Sequence, residues 1–385
     1  MNPQSMFAFF YSLFIKVIGA LLFWVKPGNQ LTLLVSFPDN ARALLKEYQE
    51  GQYSFNINVL LTQHAKSLAD EFPALSVSVI NEKHPLHICK AVFSMLSSKA
   101  VVVDNYFVLT TVLASRPDIE CIQVWHANGA FKRFGLKDIN TQKRSRSDVR
   151  RFRKVYASFD RIVVGSEHMA DIFKEFFDIT EDKFLRFGVP LTDAYYEAGK
   201  NGHELKCKHH LPAGKKIILY APTFRDHQFE SFSLPFSEKQ LAYDLKGEFL
   251  LAVKLHPVMK QSADLPVNNE WIKDVSDLPL ADLLKMSDLL ISDYSSVPFE
   301  FALLDKPILF YAYDMVAYDK TRGLIKNYTE MIPGVPCIDS EMLLEQMQDI
   351  NKLQSEVERF SHEWNLYSKG NASKQLLRYI NEKSY

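Results

Sequence analysis

Cysteine is scarce and scattered. The four residues Cys89, Cys121, Cys207 and Cys337 lie far apart in a chain of 385, with no C-x-x-C pair. That usage argues against a disulfide framework and fits a reducing compartment. No charge dominates either: 45 Lys and Arg stand against 46 Asp and Glu, which gives no hint of nucleic acid as a partner. Walker A, G-x-G-x-x-G and D-x-D motifs are all missing. A P-loop NTPase, a dinucleotide enzyme and a transferase bridged by a D-x-D metal are therefore not indicated. No solenoid repeat appears. His203, Cys207, His209 and His210 cluster, but their spacing matches no zinc signature, and the segment reads instead as a solvated linker between domains.

The chain is rich in apolar residues, 47% of the total with 13% aromatic, enough for two domain cores at this length. LTLLVSF, INVLLTQ, LSVSVIN, AVVVDNY, ECIQVWHA and RIVVGS read as short buried strands, separated by helical stretches such as ARALLKEYQEG and HICKAVFSMLSSK. Polar residues 197–216 interrupt the rhythm. It restarts with IILYAP, FLLAVKLHP, DLLISD and PILFYA, and the tail from Ser340 reads as helices. The expected fold is α/β, with two Rossmann-like doubly wound domains that face one another and hold ligands at the carboxyl ends of their strands. The divisions expected are a hydrophobic segment 1–29, an N-terminal domain 30–200 and a C-terminal domain 201–385.

From Met6 to Val25 twenty residues contain only Ser12 and Lys16 as strongly polar side chains. The length could span a bilayer. Lys16 in the middle favours a helix on or in the interface, where the ammonium can snorkel, with a core helix of the first domain as the other reading. No charged n-region precedes the run and no A-x-A site follows it, which argues against a signal peptide. Between Lys132 and Lys154 lie ten Lys and Arg against two Asp. This is either a solvated helix face or, with Lys132, Arg133, Arg150 and Arg151, a surface for anionic lipid or acceptor.

Polar residues gather at the expected strand ends. WHANGAFKRFG sets His126, Asn128 and Gly129 after CIQVW, LYAPTFRD sets Thr223, Arg225 and Asp226 after IILY, and VKLHP sets Lys254 and His256 after FLLAVK. DLLISDYSSVPFEFALLDKP ends a strand at Ser292 and places Ser295 and Ser296 before a helix expected over Val297–Leu304, packed through Val297, Phe299, Ala302 and Leu303. Ser296 there is an N-cap or part of an anion site. The hydroxyl and cationic set suits a phosphate or diphosphate.

These stretches, with the YDKTRG that follows, resemble the CDP-glycerol glycerophosphotransferase family of Gram-positive wall teichoic acid synthesis, over roughly residues 30 to 380. The WHA-x-G-A form and the short chain resemble the branch that adds a single glycerol phosphate. The resemblance implies a GT-B-like fold, CDP-glycerol as donor, CMP as product, and work at the cytoplasmic face of the membrane as a peripheral protein. The implied acceptor is an undecaprenyl-diphosphate-linked ManNAc-GlcNAc disaccharide. Carried onto matching positions, His126 is the base for the acceptor hydroxyl. His256 and Lys254 contact the donor diphosphate or the departing phosphate, Ser295 and Ser296 hold the diphosphate, and Glu300 accepts the ribose hydroxyls. Asn128, Gly129, Thr223 and Arg225 complete the donor set. Leu191 departs from the pattern, because polymerases of the family often carry Arg after the G-x-P turn. No metal ligands and no cofactor are assigned, with Mg2+ left open. A polymerising member of the same family and a non-catalytic, membrane-bound nucleotide-binding scaffold remain as alternatives.

Overall fold

The computed structural model describes residues 3–197, 201–225, 232–255, 265 and 270–383. Two compact units emerge: residues 1–128, 134–193 and 366–385 form the first, and 129–133 and 194–365 the second. The second unit does not keep the C-terminus. Residues 366–385 return to the first because the closing helix Ala372–Glu382 carries Leu376, Leu377 and Ile380 on one face, and these join the first unit's core.

The first unit is a seven-stranded sheet of β1 (Gly28–Val35), β2 (Asn56–Leu61), β3 (Ser76–Val79), β4 (Ser98–Val103), β5 (Glu120–Gln123), β6 (Arg161–Val163) and β7 (Phe184–Leu185). Its order is β3-β2-β1-β4-β5-β6-β7, with every pairing parallel. Runs such as Leu31 to Val35 are buried continuously because helices cover both faces of a parallel sheet. Helix α1 spans Pro3–Leu21, α2 Pro38–Glu50, α3 Pro85–Leu96 and α4 the basic segment Arg146–Ala157. Pro begins α2 and α3, where its missing N–H costs nothing.

Helix α1 has one face seated on the first unit and one face exposed. Ile15 is fully buried, Gly19 lies against Val112 and the Tyr11 hydroxyl donates to Glu82 at 3.1 Å, so one face is seated on the first unit. The other face leaves Met6, Phe10, Leu13, Val17 and Leu21 exposed at helical spacing. No helix among the described residues is long and apolar enough to cross a membrane.

The second unit holds β8 (Lys216–Tyr220), β9 (Phe249–Val253), β10 (Ile272–Asp274), β11 (Leu289–Ser292) and β12 (Ile308–Phe310), all parallel in the order β10-β9-β8-β11-β12. Its core joins Ile218, Leu251, Val253, Leu289, Ile291 and Leu309. The polar stretch expected as a linker contains helix α5, Gly202–Lys208, capped by Asn201. It is anchored by buried Leu205 and by a 2.7 Å contact of His209 Nε2 with Asp282. Helix α6 is shorter than expected, Val297–Phe301 followed by a 3-10 turn through Leu304. Its buried residues are Pro298, Phe299, Glu300, Phe301 and Ala302, with Val297 and Leu303 half-buried, because Pro298 and a tight second turn rotate the face.

Candidate functional site

In each sheet the strand order reverses once, and the polar residues collect there. In the first unit the reversal lies between β1 and β4, the position at which doubly wound sheets open a crevice for ligands. Register places Leu34 beside Val103 and Val103 beside Gln123, so the loops after β1, β4 and β5 leave the sheet together. Asp104 is buried, and its carboxylate accepts from the backbone N–H groups of Ser36 at 2.9 Å and Phe37 at 2.7 Å. Its own carbonyl lies 3.2 Å from His126 Nδ1. A carbonyl only accepts, so Nδ1 carries the proton of the neutral ring and the lone pair sits on Nε2.

The imidazole is held between Phe37 and Trp125, with ring centroids 4.3 Å away on each side. Trp125 turns the chain at φ +58°, a left-handed conformation costly for a bulky residue. Gln123 Oε1 accepts its N–H at 2.7 Å and Asn40 Nδ2 donates to its carbonyl at 2.7 Å, which fixes the turn. Asn40 also accepts from Leu191 N–H at 2.8 Å, and Leu191 is itself buried. The departing residue thus serves the packing that supports Trp125.

Sequence reading missed Asp104, although its place directly after the apolar run AVVV was a visible signal. Burial pushes its carboxyl up to about 7, against the lowering effect of the Phe37 and Ser36 N–H groups. A carboxyl whose folded pKa lies above its unfolded value stabilises fully below the unfolded pKa, and that contribution is lost as pH rises through the folded one. Stability to urea is therefore expected to decline from about pH 4 to about pH 7, and Asp104→Asn to flatten the decline. An unchanged slope in the variant would show that other groups set it.

In the second unit the reversal lies between β8 and β11, where Tyr220 pairs with Ile291. Asp293 is buried and accepts from Thr223 N–H at 2.8 Å, Tyr294 N–H at 2.6 Å and Arg225 Nη1 at 2.6 Å. Arg225 also donates to Asp314 through Nε and Nη2, both at 2.9 Å, and to the Thr223 carbonyl. The rings of Tyr294, Tyr313 and Tyr318 surround its guanidinium at 5.2 to 5.5 Å. Burial opposes its charge, but Asp293 and Asp314 outweigh that and raise its pKa further. Arg225, expected in the donor set, joins the loops after β8, β11 and β12 through these contacts.

The other expected residues fall into two groups. Thr223, Ser295, Ser296 and Glu300 stand around the β8/β11 reversal. Thr223 Oγ1 is buried without a hydrogen-bond partner among the described residues. Ser295 Oγ accepts from Val297 N–H at 3.3 Å, whereas the Ser296 side chain makes no cap hydrogen bond, so the capping reading of Ser296 does not hold. Glu300 is buried and accepts from the Tyr195 hydroxyl at 2.5 Å. Lys254 donates to the carbonyls of Ser276 and Leu278 at 3.0 and 2.8 Å. His256 and Asp226 lie outside the described residues.

The WHANGAFKRFG stretch is split. His126 and Asn128 belong to the first unit, and Gly129 to Arg133 to the second. Asn128 is fully buried beside Gly165, whose added Cβ would meet its Oδ1 at 2.9 Å. A Cβ on Gly129 would strike the Phe299 ring at 2.5 Å, so this glycine is required by close packing. Lys132 bridges Leu324 in antiparallel fashion, and Arg133 Nε donates to the Leu324 carbonyl at 2.8 Å. Arg133 N–H also donates to the Gly323 carbonyl at 3.0 Å, so Lys132 and Arg133 clip onto the end of YDKTRG. Burial lowers the Lys132 pKa, with Asp293 opposing. Arg150 and Arg151 lie on α4 in the first unit. Among the described residues no group of three or more His, Cys, Asp or Glu could hold a metal ion.

These observations define an α/β protein of two parallel, doubly wound units, each with a polar site at its topological switch point. The solved structure of the wall teichoic acid polymerase TagF has the same fold, with a TM-score of 0.77 at 21% identity over 98% of this chain and 94% of that one. The chain belongs to the CDP-glycerol:poly(glycerophosphate) glycerophosphotransferase family, whose model matches residues 21–382. It is 84% identical to the teichoic acid glycerol-phosphate primase of Bacillus spizizenii W23 over 381 residues, 99% of this chain and 100% of that protein. It is 49% identical to the protein of the same name in Bacillus subtilis 168, over 99% of each.

Proposed function

We propose that this glycerophosphotransferase is a priming enzyme. It transfers one glycerol phosphate from CDP-glycerol to the undecaprenyl-diphosphate-linked ManNAc-GlcNAc acceptor and releases CMP. The observation that carries the reading is the 84% identity over the full length to a glycerol-phosphate primase. A variant of the TagF polymerase soaked with CDPG supports the choice of donor. The two doubly wound units support a GT-B-like assignment.

In the proposed mechanism His126 Nε2 takes the proton of the acceptor hydroxyl, whose oxygen attacks the β-phosphorus of CDP-glycerol in line. The bond from that phosphorus to the bridging oxygen breaks and CMP leaves with the electron pair. The Asp104 carbonyl keeps the ring in the required tautomer, as second hydrogen bonds do for catalytic histidines. Thr223, Ser295 and Ser296 supply hydroxyls for the donor phosphates, and Glu300 the acceptor for the ribose. CMP release should require the lipid-linked disaccharide, and mass spectrometry should find a single added glycerol phosphate. A ladder of additions would assign a polymerase, and donor binding without CMP release a scaffold.

Thr223→Val tests the donor side. Valine keeps the shape and removes a buried hydroxyl that has no partner among the described residues, so stability to urea should be unchanged or slightly higher. Calorimetric affinity for CDP-glycerol should fall about tenfold, in line with the roughly 1.5 kcal/mol or more of a hydrogen bond to a charged group. Equal donor affinity would remove Thr223 from the donor set.

The same reading places the protein at the cytoplasmic membrane face as a peripheral protein, through the exposed stripe of α1 and the basic helix α4 acting together. Because Ile15 seats α1 on the first unit, point changes test this better than deletion. Phe10→Asp with Val17→Asp should leave the circular dichroism spectrum unchanged and abolish sedimentation with anionic vesicles. Full sedimentation of the variant would refute the anchor.

A further inference from the structure

A groove of about 340 Å3 lies within the first unit, between α1, the 3-10 segment Val108–Ser115 and α4. Its lining is two-sided. Phe9, Leu13 and Val108 supply an apolar wall, and Lys16, Arg150, Arg151 and Lys154 supply four cations. Arg151 is paired with Asp148 at 2.7 Å. Arg150 makes only a long 3.4 Å contact with the Arg146 carbonyl, and no carboxylate among the described residues pairs with Lys16, Arg150 or Lys154. Three positive charges thus remain uncompensated around a cavity of ligand size. At its other side the apolar wall continues into the exposed stripe of α1, at Met6, Phe10 and Val17.

We propose that this groove binds an apolar chain ending in a diphosphate, the lipid end of the acceptor. The inference rests on the priming reading. Charge decides between occupants: a phosphodiester lipid headgroup brings one negative charge, whereas a diphosphate brings two to three and matches the local surplus. Guanidinium groups also suit phosphate oxygens, which they bind through paired N–H donors. The apolar wall takes the first part of the chain, and the stripe of α1 carries the rest toward lipid. The residues just before Val108 also support the site at His126: Asp104 holds its ring, and Tyr106 packs on Phe152 and Tyr156 of α4. The groove and the base are therefore tied to one segment of chain.

Titration calorimetry of the full chain tests this with three probes: farnesyl diphosphate, dihexanoyl phosphatidylglycerol and inorganic diphosphate. Farnesyl diphosphate should bind at a single saturable site, at least about tenfold tighter than either of the others. Arg150→Gln with Lys154→Gln should weaken it about tenfold or more. Lys143→Gln with Arg153→Gln, which removes the same charge outside the groove, should weaken it less than about twofold. Leu13→Ser should weaken farnesyl diphosphate and leave inorganic diphosphate unaffected. Equal losses in the two charge variants would reduce the effect to diffuse attraction and overturn the proposal. So would phosphatidylglycerol binding as tightly as farnesyl diphosphate, which would assign the groove to bilayer lipid, or inorganic diphosphate doing so, which would make it an anion site. If the expected pattern holds while CMP release proves independent of a lipid-linked acceptor, the groove stands and the priming reaction fails.

Discussion

Replacement of His126 by alanine is expected to lower CMP release by at least about a hundredfold while CDP-glycerol still binds with nearly its normal affinity. General-base catalysis is typically worth about 10² to 10⁴ in rate, and the ring has no donor group placed to clamp a phosphate in its neutral form. The loss should therefore appear in turnover and not in donor affinity, the pattern of an interaction made in the transition state. His126→Gln is an informative companion. Its amide can hydrogen-bond an acceptor hydroxyl but cannot take the proton, so it should restore acceptor affinity and not rate. Turnover within a few fold of normal in His126→Ala would exclude this residue as the base.

The second large effect is expected in the other unit. Asp293→Ala removes the acceptor for two backbone N–H groups and leaves Arg225 buried with Asp314 as its one carboxylate among the described residues. Breaking a buried ion pair from one side typically costs about 3 to 5 kcal/mol, a large part of the 5 to 15 kcal/mol that a domain has in total. A fall in melting temperature of roughly 10 °C follows for a unit of this size. If thermal unfolding resolves two transitions, only the one belonging to the second unit should move. Arg225→Lys should be damaging too, because an ammonium cannot span Asp293, Asp314 and the Thr223 carbonyl at once. A variant with normal stability but lost donor affinity would assign Arg225 to direct contact with the donor.

These two expectations differ in how far the sequence reveals them. His126 was visible as a polar residue after an apolar strand, its role as base was implied by the family resemblance, and the structure adds the contact that sets its tautomer. Arg225 was visible as a residue, but the ion pairs that hold it were not. Sequence shows that an arginine follows a strand, but the carboxylates that occupy it come from the loops after β11 and β12, 68 and 89 positions away. Asp104 was overlooked for the same reason: its partners Ser36, Phe37 and His126 are joined only when β1, β4 and β5 align.

The sequence by itself determined the alternation of buried strands and helices, the presence of two α/β units, the exposed apolar and basic segments, and the strand ends where polar residues gather. Such features depend on local periodicity and on neighbours within about twenty residues. It did not reveal β7 or β10, because neither holds more than two consecutive apolar residues, whereas β6 and β12, equally short, sit in longer apolar runs. Nor did it show that residues 366–385 return to the first unit, that Gly129 to Arg133 pack in the second, or that α1 has both a seated and an exposed face. Those outcomes were decided by tertiary structure, since each depends on which distant surface buries the most apolar area and completes the buried hydrogen bonds.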